Sequence, residues 1–197
     1  MARDRAGREE AKPLRLFVAV DLPPRTKAVA EREAAAWRDR LDAGRWVPPE
    51  NWHVTVTFLG RVWPRLADWV AERVRIAASE VRPFETGLTS FGAFPRASSA
   101  RVMWMGLDEG SGGWDALYEA LATSLASEFP PEQRGYTPHL TVARFQPTVD
   151  LRPHAEDLAR HVDAPRFRVG QAVLYRSHLQ RPHPRYEAIS SFPLGRR

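Results

Sequence analysis

Two histidines in this chain stand in the same short pattern. The first is His53-Val54-Thr55-Val56 and the second is His139-Leu140-Thr141-Val142. In each, a histidine and a threonine alternate with apolar residues, and a strand turns successive side chains to opposite faces. The alternation therefore puts His53, Thr55 and Thr57 on one face, with Val54, Val56 and Phe58 packing the other. His139 and Thr141 likewise point together, opposite Leu140 and Val142. One histidine on a half-exposed strand is ordinary; a matched pair suggests chemistry. Displacement at phosphorus needs one group to take a proton from the attacking oxygen and another to protonate the oxygen that leaves. Those oxygens lie on opposite sides of the phosphorus, so two imidazoles titrating near neutrality on opposing walls serve as base and acid without a metal. Threonine hydroxyls two residues along can donate to the non-bridging oxygens as charge builds there.

The elements that carry the motifs repeat. Leu14 to Val20 reads as a strand, and Pro24 opens a helix to about Leu41, with an apolar stripe including Val29, Ala36 and Trp37. Trp52 to Leu59 is the strand of the first motif. The same order recurs as a strand at Arg101–Leu107, a helix at Trp114–Glu128 and a strand at His139–Phe145. A duplicated strand, helix and strand predicts two pseudo-symmetric lobes facing each other across a cleft, with the motifs on opposite walls. Further elements are a helix over Arg65–Glu80, a strand near Glu85–Ser90, a short helix over His154–His161, and strands near Phe167–Tyr175 and Tyr186–Phe192. Gly110 to Gly113 reads as a turn before a helix rather than a nucleotide-binding loop.

Composition bounds the class. The chain has 197 residues, a length suited to one domain with a proper core. Residues 1–11 read as a polar tail and 12–197 as a single bilobed domain. An apolar share of 43% with 27% charged residues excludes a disordered or fibrous chain. The absence of cysteine excludes a disulfide scaffold, a thiolate zinc site and a cysteine nucleophile. No apolar run is long enough for a membrane helix or a signal peptide, so a cytoplasmic protein away from the membrane is expected. The net charge is +5 and almost all of it is arginine, Lys12 and Lys27 being the only lysines. Arginine suits phosphate recognition, although genome composition can produce the same bias. His154 and His161 with Glu156 and Asp157 lack a complete ligand set and read as a solvated face, so no metal is expected. For Trp46, ahead of the first motif, core packing and substrate stacking both remain open. For Arg101, groove and surface roles do.

With their flanking residues the motifs resemble a known family. Arg15-Leu16-Phe17-Val18-Ala19-Val20-Asp21-Leu22-Pro23, Pro49-Glu50-Asn51-Trp52 and Thr137-Pro138 are similar to the corresponding segments of the 2H phosphoesterase superfamily. Within it, they resemble the bacterial and archaeal RNA 2′,3′-cyclic phosphodiesterases, formerly named for 2′-5′ RNA ligase activity. The resemblance runs from about Leu14 to Leu194, with Trp52 standing where a leucine is commoner. It implies a bilobed α+β fold, with antiparallel sheets lining a central cleft, helices outside, and no metal or other cofactor. It further implies hydrolysis of RNA 2′,3′-cyclic phosphate ends to 2′-phosphates, with reversible 2′-5′ ligation as an additional activity. By motif position His53 is the proton donor to the departing 3′ oxygen and His139 the proton acceptor, while Thr55 and Thr141 bind the phosphate. Phe17 and Arg144 match the residues that hold the terminal base. The implied partner is RNA ending in a cyclic phosphate, tRNA fragments among the candidates, acted on by a monomer. Two alternatives stay open: a cyclic phosphodiesterase acting on a small nucleotide, and a non-catalytic nucleotide- or RNA-binding module of the same fold.

Overall fold

The computed structural model describes residues 12–131 and 135–195; the expected tail at 1–11 lies outside them. Its strands are β1 (Leu14–Asp21), β2 (Arg45–Trp46), β3 (His53–Val62), β4 (Phe84–Thr86), β5 (Leu88–Phe94), β6 (Ala100–Leu107), β7 (His139–Val149), β8 (Phe167–Val169), β9 (Gln171–His178) and β10 (Arg185–Pro193). Its helices are α1 (Pro24–Arg38), α2 (Ala67–Glu80), α3 (Gly113–Leu125) and α4 (Ala155–Ala159). Pro24 stands at the start of α1, where its missing N–H costs nothing and its fixed φ favours the helix.

The main sheet runs β10-β9-β1-β3-β7-β6-β5, with β2 added to β7. The pairings are antiparallel, so the fold is α+β with antiparallel sheet, as expected. The two halves, β10-β9-β1-β3 and β7-β6-β5, meet at a single pair, Val54 with Leu140. Two sheets were expected; hydrogen bonding joins them into one through this pair. Both residues are fully buried, as the alternation of the two motifs requires. On either side of the pair β3 and β7 part, and the cleft opens.

The helices change sides. α1 follows β1, yet its Trp37 ring packs 5.4 Å from that of Phe91 on β5 and edge-on to His154 at 5.7 Å. A Glu33–Arg160 contact from the same helix and an Arg40–Asp157 contact just past its end, each 2.7 Å, reach the α4 region. α3 follows β6 but packs against α2 and β3, and α2 in turn covers β9 and β10. Each repeat thus lends its helix to the opposite half, and one hydrophobic cluster runs beneath both. The buried face of α1 is Thr26, Ala30, Ala34 and Trp37, whereas Ala36, assigned to the stripe from sequence, is exposed. Alanines occupy so much of this helix that periodicity alone cannot say which of them face inward.

Two expected strands are each divided. β4 and β8 pair with one another in a small separate ribbon, while in the main sheet β5 forms one edge and β9 lies in the other half, between β10 and β1. Gly87 and Gly170 stand at the two break points.

Candidate active site

β3 and β7 carry the two motifs to the same place. Continuing the register from the Val54–Leu140 pair sets His53 across from Thr141 and Thr55 across from His139. Antiparallel order thus places each histidine at the level of the other motif's threonine, on the two parting walls of the cleft. All four line one cavity of about 800 Å³, together with Phe17, Arg144, Arg15 and Arg45. The β9–β10 hairpin borders this cavity with Leu179, Gln180, His183 and Pro184. It is held by Asn51, whose Nδ2 donates to the carbonyl of Pro184 at 2.8 Å, and by Arg45, which donates to that of Pro182 at 3.4 Å.

Each histidine is oriented by the carbonyl two residues before it. His139 Nδ1 donates to the Thr137 carbonyl at 2.8 Å, which leaves Nε2 as the free nitrogen. His53 hydrogen-bonds the carbonyl of Asn51 in the same relation. Aromatic rings brace both. Phe94 stands edge-on to His139 at 5.0 Å with Trp104 behind it at 6.1 Å. Trp104 lies flat over Gly92 on the neighbouring strand, where any Cβ would collide with the indole. On the other wall Phe17 is 4.8 Å from His53, and Tyr186 meets His53 edge-on at 5.0 Å. Tyr175 stacks under Phe17 at 5.3 Å and its hydroxyl donates to both carboxylate oxygens of Asp21 at 2.8 Å.

This packing sets the electrostatics. Burial pushes His53 down to about 4, helped by the positive field of Lys27 and Arg144 and opposed by its bond to the Asn51 carbonyl. His139 is lowered in the same direction, by burial first and by Arg144 as well. Arg45 and Arg144 are cross-strand neighbours, and with Arg15 they give the cavity a positive wall. The site favours an anion, and burial favours the neutral form of both imidazoles.

Sequence alternation misplaced one residue. Phe58 was expected in the core; it is 63% exposed and faces the cavity. The ladder between β1 and β3 slips twice, skipping Val56 and Leu59 opposite β1, and across this irregularity Thr57 and Phe58 both leave the core face. A bulge inserts a residue and so inverts the alternation beyond it. Phe17 lies on the cleft side but is only 3% exposed, held between His53 and Tyr175. Tyr186, from a distant strand, adds the more accessible aromatic surface beside it, and no local pattern marked it. Trp46 lies outside the cavity, although its neighbours Arg45 and Val47 line it; its ring packs on the core beneath Arg38 at 5.7 Å. Arg101 borders a second, adjoining chamber. Among the described residues no group of three His, Cys, Asp or Glu side chains is placed to hold a metal ion, and no helix is long and apolar enough to cross a membrane.

Residues 23–181 match the model of the 2′-5′ RNA ligase superfamily. The chain belongs to this superfamily. An RNA 2′,3′-cyclic phosphodiesterase of Geobacillus stearothermophilus is 30% identical over 90% of this chain, which spans 56% of that relative's length. One from Thermus thermophilus is 32% identical over 92% of this chain and 90% of its own. Among solved structures, Escherichia coli LigT complexed with 3′-AMP superposes with a TM-score of 0.67 at 26% identity, covering 94% of this chain and 100% of that one. A solved Thermus thermophilus protein shares the fold at a TM-score of 0.77 and 24% identity, covering 93% and 100%. The superfamily's 2H phosphoesterase fold is thus the one in which His53 and His139 are set.

Proposed function

We propose that this protein hydrolyses RNA 2′,3′-cyclic phosphate ends to 2′-phosphates by two-histidine acid–base catalysis. The observation that carries the reading is the pair of His–Thr motifs lining one cavity on two strands that meet at one buried pair. A phosphate between the two walls has an imidazole on each side along the line of displacement. His139 is the base: its Nδ1 is committed to the Thr137 carbonyl, so Nε2 takes the proton of the attacking water. His53 is the acid and returns a proton to the departing 3′ oxygen. The substrate's own negative charge favours the imidazolium that this step requires. Thr55 and Thr141 donate to the non-bridging oxygens, and Arg144 adds positive charge as the transition state forms. The terminal base lies between Arg144 and the aromatic wall of Phe17 and Tyr186. Water replaced by an RNA 5′-hydroxyl gives a 2′-5′ phosphodiester through the same two proton transfers. The names of the relatives and the positive wall support RNA over a small cyclic nucleotide.

The test is incubation with an RNA ending in a 2′,3′-cyclic phosphate, chelator present. The expected product is a 2′-phosphate, resistant to a 3′-specific phosphatase, with His53→Ala and His139→Ala each slower by ~10²–10⁴-fold. A 3′-phosphate product, or activity that a chelator abolishes and a divalent ion restores, refutes the assignment.

A further inference from the structure

A second chamber of about 780 Å³ adjoins the catalytic cavity and shares Thr55, Phe58, Phe94 and His139 with it. His53 borders only the first cavity; His139 borders both. From the asymmetry between the two histidines, and resting on the function proposed above, we infer that this chamber binds the nucleoside that presents a 5′-hydroxyl to the cyclic phosphate in 2′-5′ ligation.

The line of displacement fixes the side of entry. The attacking oxygen enters opposite the 3′ oxygen that leaves, so it enters on the side of His139. A chamber that opens beside His139 and away from His53 lies on that side. A water molecule occupies about 30 Å³, so the chamber is far larger than hydrolysis requires. Its walls suit a nucleoside. Phe58, turned outward by the bulge in β3, offers an exposed ring, and Phe94 and Tyr118 extend the aromatic lining. Tyr118 is fixed by parallel stacking on Tyr136, with ring centroids 4.8 Å apart and planes 3° from parallel. Base stacking on such rings tolerates any sequence. Arg101, exposed and free of ion pairs among the described residues, stands where it can meet the first phosphate 3′ of the attacking nucleoside. Ser99 lines the same wall.

The step balances without any other reactant. The 5′ oxygen bonds to phosphorus and gives its proton to His139. The bond from phosphorus to the 3′ oxygen breaks, and that oxygen receives the proton of His53. The products are one 2′-5′ phosphodiester and a free 3′-hydroxyl.

The experiment supplies adenosine 2′,3′-cyclic phosphate with either adenosine or the dinucleotide ApA as acceptor, and measures hydrolysis and transfer together. Wild-type protein is expected to transfer to both, and to prefer ApA by about tenfold because of the added Arg101–phosphate contact. Arg101→Ala should abolish that preference while hydrolysis stays within about threefold. Ser99→Trp, which fills the chamber, should remove transfer to either acceptor and leave hydrolysis of the mononucleotide in place. The inference is overturned if wild-type protein hydrolyses but never transfers, or if both variants transfer like wild type. It is also overturned if the variants impair hydrolysis of ApA ending in a cyclic phosphate relative to the mononucleotide, since the chamber then holds the upstream nucleotide. Absence of any hydrolysis by the wild type overturns the function proposed above, and the acceptor subsite with it.

Discussion

The pH dependence of the reaction separates the free enzyme from its complex. The proposed mechanism needs His53 protonated while His139 is neutral. In the free protein His53 is held at about 4 and His139 is also lowered, both chiefly by burial. The bell in kcat/KM, which reports the free enzyme, should therefore centre below the ordinary histidine value of 6.5. A bound phosphodiester changes this by its single negative charge. At roughly 5 Å and an effective dielectric constant of about 20, the attraction is about 3 kcal/mol, or roughly 2 pH units. The bell in kcat, which reports the complex, should lie higher by about 1–2 units, with apparent constants belonging to the pair. The assay is steady-state hydrolysis of a nucleoside 2′,3′-cyclic phosphate from pH 4 to 9 at constant ionic strength. Coincident optima for kcat and kcat/KM, or a kcat/KM still rising above pH 8, would refute the reasoning. The first result would mean that the substrate does not reach His53, the second that another group supplies the base.

The same shifts act on stability. His53 and His139 are neutral in the fold and protonate more readily in the unfolded chain, so stability should rise with pH between about 4 and 6.5, by about 1–2 kcal/mol after solvent screening. Thermal melts should show that slope flattening in His53→Gln, and an unchanged slope would count against burial as the cause. Phe17→Ala removes a ring packed on His53, so it should lower stability by about 3 kcal/mol and raise the His53 titration seen by NMR. A change in KM alone, with the imidazole titrating as before, would restrict Phe17 to holding the base. Leu140→Ala opens a cavity at the one pair joining the half-sheets and should cost about 3 kcal/mol by denaturant unfolding. Its kcat should also fall, since the spacing of the two histidines depends on that pair; an undiminished kcat would show the cleft to be set elsewhere.

The motifs were legible in the sequence because their chemistry is local. A strand's two-residue period puts His53 with Thr55 and His139 with Thr141, whatever lies around them, and Val54 and Leu140 are then buried by the same alternation. The duplicated strand, helix and strand made two facing halves readable as well. The tertiary structure alone decided what lies next to the motifs. Phe58 reached the cavity because β3 bulges against β1, and a bulge depends on the partner strand as much as on the residues it displaces. Tyr186 and Tyr175 joined the His53 wall through pairings across more than a hundred residues, which no local pattern encodes. The lowered pKa of His53 has the same origin: it comes from burial and from the charges of Lys27 on α1 and Arg144 on β7. Sequence spacing determined which groups can transfer protons. Packing determined how readily they take a proton, because solvation and field depend on every neighbour in space and on none by its place in the chain.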